Sequence, residues 1–191
     1  MHLQIKSCIR TDLDSINDRE SGACVASKIL YHEYDDELDD VVEQQIGEIV
    51  AYQIFGIIDE LILWADSISQ DLLDAILWLQ ELCKQRDEVA GLPQYTFIEK
   101  VEIEPAWRGR GIALLAVAAF LEVFSREGFI FLKPAPLKML EEPEDQKQAI
   151  EWLRSLWEKV GLDHYDSRAN YLWNPLWDCP SELAGTEDIL P

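Results

Sequence analysis

The run Val101-Glu-Ile-Glu-Pro-Ala-Trp-Arg-Gly-Arg-Gly-Ile-Ala113 constrains this chain more than any other. It reads as a strand that stops at Pro105, a turn through Arg108-Gly109-Arg110-Gly111, and an apolar helix entered at about Ile112. Gly109 and Gly111 carry no side chain, so the turn can bend tightly and aim its N–H groups inward. A helix start adds unsatisfied N–H donors and partial positive charge, and the two arginines add full charges. Strand, glycine turn and helix start together predict a pocket for a phosphate or pyrophosphate.

Spacing narrows the choice of pocket. A nucleotide P-loop needs Gly, four residues, then Gly-Lys-Ser/Thr, and the chain has no such run. The dinucleotide fingerprint needs a third glycine where Leu114 stands. What fits is Arg108-x-x-Gly111-x-Ala113, preceded by Ile103-x-Pro105. This pattern resembles the pyrophosphate loop of the GNAT acyltransferases, which hold coenzyme A with it. An ordinary strand-to-helix turn with solvated arginines is the plain alternative.

The order of elements over residues 95–174 is similar to the cofactor-binding half of the GNAT fold. In that family the strands before the turn and after the helix splay apart, and the pantetheine arm lies between them. Here those strands are Tyr95–Glu104 and Phe129–Lys133. The resemblance implies that the backbone of Val101 to Ile103 pairs with pantetheine. It also implies that the N–H groups of Arg108, Gly109, Arg110, Gly111, Ile112 and Ala113 hold the pyrophosphate. Leu156-Trp-Glu-Lys-Val-Gly-Leu162 resembles the family's Phe-Tyr-Glu-Lys-Leu-Gly-Phe segment, and Lys133-Pro-Ala-Pro-Leu137 resembles a run in some GNAT-like bacterial proteins.

Two departures bear on chemistry. The family's early helices usually lie between its first and second strands, whereas the strong helical region here, Ile57 to Gln85, sits just before the central strand. Where many members carry a tyrosine that protonates the leaving thiolate, this chain has Trp157, whose indole N–H cannot serve as that acid. Trp157 also lies on an apolar helical stripe, which gives it a packing role.

Acetyl transfer to an amine needs a base, and the family's usual solution is a carboxylate on the central strand. Glu99, Glu102 and Glu104 are available, with Glu99 and Glu102 the candidates. Strand alternation puts Glu99 on the face of Val101 and Ile103, and Glu102 and Glu104 on the other. Each also reads as a solvated strand residue. His164 and Tyr165 are further candidates near the thiol end or are simply exposed. Lys133 and Lys138 could meet coenzyme phosphates or solvent.

Sixteen basic residues stand against 37 acidic ones, a net charge of −21. Such a surface repels nucleic acid and anionic membranes and attracts cations. Seven carboxylates (Glu33, Asp35, Asp36, Glu37, Asp39, Asp40, Glu43) lie within eleven residues that hold no Lys or Arg. They read as a solvated connection between two strands or as a steering surface for an amine or a basic protein segment. The seven tryptophans read as core or interface residues, because a stacking platform for bases needs a basic groove. Cys8, Cys24, Cys83 and Cys179 have neither metal-ligand spacing nor a disulfide pattern, so they read as thiols of a reducing cytoplasm. No metal is implied. No apolar run approaches a membrane span, and the N-terminus lacks the features of a secretory signal.

At 191 residues the chain suits one domain, residues 1–177, followed by an acidic tail, 178–191, loosely held from Pro175 onward. Strands are predicted at Leu3–Arg10, Ala23–Tyr31 and Ile46–Phe55, with the acidic run on the hairpin joining the last two. A helix is predicted over Gln70 to Gln85, capped by Ser67 with Gln70. Further helices run from Ile112 to Glu127, ended by Gly128, and from Gln146 to Val160, ended by Gly161. His164 to Trp173 reads as a strand or a hairpin turning at Asp166-Ser167.

The fold class is therefore α/β (α+β in some schemes): a GNAT-like mixed, mostly antiparallel sheet of six or seven strands with helices on both faces. The implied function is an N-acyltransferase using acetyl-CoA or another acyl-CoA as cosubstrate. Its partner would be an amine-bearing small molecule or a basic protein segment, with no nucleic acid and no membrane, and with room for a homodimer. A GNAT-like acidic interaction module without strong catalysis is the alternative.

Overall fold

The structure, a computed structural model, describes residues 2–11, 22–35, 40–56 and 58–184. Seven strands form one sheet: β1 (His2–Thr11), β2 (Gly22–Asp35), β3 (Asp40–Ile54), β4 (Tyr95–Ile103), β5 (Phe129–Leu132), β6 (His164–Asp166) and β7 (Tyr171–Asn174). Their order is β1-β2-β3-β4-β5-β7-β6. Among the described residues only β4 and β5 run parallel; every other neighbouring pair is antiparallel. Among the described residues four α-helices complete the fold: α1 (Ile62–Ile68), α2 (Gln70–Gln85), α3 (Ile112–Phe124) and α4 (Pro143–Glu158).

This is a mixed, mostly antiparallel sheet with helices on both faces. Alternation divides β5 between the two faces. Ile130 and Leu132 join the core beneath α3 and the end of α4, with Ala116, Phe120, Trp157 and Val160. Phe129 and Phe131 join the core beneath α1 and α2, with Leu72, Ile76 and Trp78. All four strand residues are buried, as expected of a central parallel strand covered twice. Helices α1 and α2 come between β3 and β4, the departure read from the sequence.

Strands β2 and β3 are longer than the apolar pattern predicted, pairing from Gly22 with Ile54 to Asp35 with Asp40. The acidic run thus closes a hairpin, although Asp36, Glu37 and Asp39 lie outside the described residues. Cross-strand pairing carried the ladder past its apolar half.

Three local expectations are corrected. The cap of α2 is Ser69, whose hydroxyl accepts from the Leu72 N–H at 3.1 Å, while the Ser67 hydroxyl donates to the Trp64 carbonyl. Helix α3 ends at Phe124, and Glu127, not Gly128, takes the left-handed position at φ 59°. The segment after Pro175 is not loosely held around Trp177, which is wholly buried. Its indole donates to the Val160 carbonyl at 2.7 Å, and its backbone bridges Gly128 and Glu127. A large aromatic ring with a satisfied N–H outweighed the polar composition around it.

Candidate functional site

Strand β4 pairs with β5 from Tyr95 opposite Phe129 to Ile98 opposite Leu132. Beyond Ile98, β4 continues for five residues while β5 ends at Leu132, so the two part. A groove of about 870 Å³ opens there. That lies within the usual size of small-molecule sites.

The turn predicted to bind phosphate forms part of the wall of this groove. Gly109 and Gly111 both have φ of 76°, the left-handed region, where a Cβ would be strained. Gly111 is the N-cap of α3 and offers no side-chain cap, so the first helical N–H groups, those of Ile112 and Ala113, keep their donors for another acceptor. Arg108 is anchored by its Nε, which donates to the Ile103 carbonyl at 2.8 Å.

Val101, Ile103, Arg108, Gly109, Gly111, Ile112 and Ala113 all line the groove, as do Glu99 and Glu102. Arg110 is not among the lining residues: its guanidinium sits 5.0 Å from the Trp107 ring and donates to the Ala106 carbonyl. Lys100, Lys133, Lys138 and Lys159 join Arg108 along the walls, a local excess of positive charge in a chain of −21. Lys159, Trp152 and Leu153 also line the groove, and the sequence did not mark them as site residues. Lys159 lies within the Leu156–Leu162 segment as the C-cap of α4, and Trp152 and Leu153 precede that segment on the helix.

The two candidate carboxylates differ. Val50 pairs with Lys100 and Ala51 with Ile98, so Glu99 is the extra residue of a β-bulge. The bulge corrects the expected alternation. Val101 and Ile103 pack on the α3 side, while Glu99 faces the α2 side. There the Ser69 hydroxyl donates to Glu99 Oε1 at 2.9 Å and the Tyr52 hydroxyl to Oε2 at 3.4 Å. Burial and the Glu99 charge push the Tyr52 hydroxyl well above its ordinary pKa, so it stays a donor. Glu102 is instead paired with Lys100 at 2.7 Å, and that hydrogen bond holds its carboxyl below the usual range. Lys100 also bonds Glu48 at 2.7 Å. Glu99 is a carboxylate held by neutral donors; Glu102 is one already neutralised.

Glu104 is exposed where β4 ends. His164 stacks on Trp173 at 4.2 Å, and Tyr165 donates to Asn170 Oδ1 at 3.0 Å, both on the edge strand and away from the groove lining. Trp157 lines the groove while packing in the α3-side core. Among the described residues no cluster of His, Cys, Asp or Glu is placed to hold a metal ion, and no helix is long and apolar enough to cross a membrane.

The sequence matches no protein-family model and no curated protein. Among solved structures it is similar to a KacTA–DNA complex at 11% identity, covering 91% of this chain and 92% of that one, with a TM-score of 0.41. It is also similar to an agmatine N-acetyltransferase in its apo form at 12% identity, covering 78% and 73%, with a TM-score of 0.41. Likenesses this loose assign neither an activity nor a substrate to this chain. The partner reading drawn from net charge, which left out nucleic acid, is nonetheless corrected, since one of these two structures is a complex with DNA. Screening confines charge effects to roughly 8–10 Å, so a total of −21 does not describe a groove lined by five basic residues. What the chain's own geometry carries is a GNAT-like fold: a mixed sheet whose fourth and fifth strands splay beside a glycine–arginine turn.

Proposed function

We propose that the protein is an acyl-CoA-dependent N-acyltransferase that moves an acetyl group from acetyl-CoA to an amine by direct attack. The observation that carries this reading is the splay beyond Ile98 and Leu132, which opens a groove lined by the uncapped start of α3. The residues present fit the coenzyme. The β4 backbone beyond Ile98 has no partner from β5, which suits an extended pantetheine arm. The turn's N–H groups with Arg108 suit a pyrophosphate, and Lys138, which also lines the groove, acts with Arg108 to lower the Glu102 carboxyl.

The coenzyme supplies an activated thioester. The amine nitrogen forms a bond to the thioester carbonyl carbon, the carbon–sulfur bond breaks, and the coenzyme leaves as a thiolate. Glu99 takes the proton from the attacking nitrogen, and a β4 N–H stabilises the oxyanion. Trp157 cannot protonate the thiolate, so water supplies that proton. A non-catalytic acidic module is not favoured, because the groove, the turn and a held carboxylate occur together.

Calorimetric titration with acetyl-CoA tests the first half of the reading, with micromolar binding expected. Release of free thiol from acetyl-CoA in the presence of hexylamine, 1,4-diaminobutane or a lysine-containing peptide tests the second. No binding up to millimolar coenzyme would remove the proposal.

A further inference from the structure

Ser69 stands between two helices in an extended conformation, φ −156° and ψ 153°. Its N–H donates to the Ala65 carbonyl and closes α1, and its carbonyl accepts from the Leu73 N–H. Its hydroxyl oxygen accepts from the Leu72 N–H at 3.1 Å and opens α2. The hydroxyl proton is then directed to Glu99 Oε1 at 2.9 Å. Capping α2 needs only the lone pair, so the bond to Glu99 is additional to the helix. The other carboxylate oxygen accepts from Tyr52, on β3. Both oxygens of Glu99 are thereby fixed from two different elements at the wall of the groove.

Resting on the acyltransferase reading, we propose that Ser69 is a positioning residue for the reaction. It orients the Glu99 carboxylate toward the attacking amine through the turn between α1 and α2. The bulge is what allows this, because it leaves Glu99 on the α2 face while Val101 and Ile103 stay on the coenzyme face. A carboxylate released from Ser69 would swing on Tyr52 alone, and misplacement of a catalytic group by about 1 Å costs on the order of a hundredfold in rate.

The test uses Ser69→Gly, since glycine at an N-cap costs the helix little while removing the donor. The full chain is assayed with acetyl-CoA and the best acceptor among hexylamine, 1,4-diaminobutane and the lysine peptide. We expect kcat to fall roughly tenfold to a hundredfold. The KM for acetyl-CoA and the Tm should stay near the wild-type values, and Ser69→Thr should restore kcat. In a Glu99→Gln background the same change should have no further effect on kcat, because the two residues act as one unit. Wild-type kcat in Ser69→Gly, or an equal loss in both backgrounds, overturns the positioning role and leaves the acyltransferase standing. Wild-type protein that transfers nothing to any of the three amines overturns both, and acetyl-CoA binding then shows whether the groove reading survives.

Discussion

Residues Tyr95–Ile98 of β4 are buried and paired on both sides, whereas Glu99–Glu102 of the same strand are half-buried, with Lys100–Glu102 paired only to β3 and Glu99 bulged out of both ladders. The first stretch is made of aromatic and aliphatic side chains with one satisfied threonine, Thr96, bonded to Ser125. The second carries two carboxylates, a lysine and an unpartnered edge facing β5. The change falls at the bulge and at the point where β5 stops. One strand is thus scaffold for half its length and site wall for the rest, and the rigid half fixes where the polar half stands.

Substitutions on either side of the bulge should separate these roles. The largest effect belongs to Glu99→Gln, which should lower kcat roughly a hundredfold to ten-thousandfold with Tm little changed. Glu102→Gln in the same assay should leave kcat within about threefold, because Lys100 already neutralises that carboxylate. Equal losses from both would erase the distinction between them. On the other side of the bulge, Phe97→Ala should cost roughly 3–5 kcal/mol in denaturant unfolding, since the ring packs on Phe131 at 5.1 Å and is almost wholly buried.

Arg108→Ala with Gly111→Ala should weaken acetyl-CoA binding by about a hundredfold in calorimetry, combining a lost charged contact with a strained backbone. Circular dichroism should still show a folded chain, and unchanged affinity would detach the turn from the groove. The smallest effect is a pH slope. Burial pushes the Tyr95 hydroxyl up to about 12 in the folded state from 10 in the unfolded chain. Its contribution to stability is complete below pH 10 and is lost as pH rises toward 12, because the unfolded state gives up its proton first. Tyr95→Phe should flatten part of that alkaline fall, with Tyr52 and Tyr171, also raised by burial, accounting for the remainder.

Much of this was legible because its causes are local. The apolar helix after Gly111, the glycines of the turn and the Gly161 stop are written in adjacent residues, and Gly161 does take a positive φ of 93°. The splay could be anticipated only through the family resemblance. What could not be read was set by distant partners. The bulge at Glu99 depends on the register of Val50 and Ala51, nearly fifty residues earlier in the chain. The bond from Ser69 joins a helix cap to that bulge, and no spacing in the sequence announces it. Trp177 lies in a polar stretch whose composition suggested a tail, and only the space between Val160 and Gly128 reveals why it is buried.

That buried tryptophan also governs how the chain can be completed during synthesis. The Gly128 carbonyl, at the entrance to β5, accepts from the Trp177 N–H, which emerges roughly fifty residues later. At translation rates of about 5–20 residues per second, the entrance to the central parallel strand waits roughly 3–10 s for its partner. The core beneath α3 and the end of α4 closes only once Trp177 has been made.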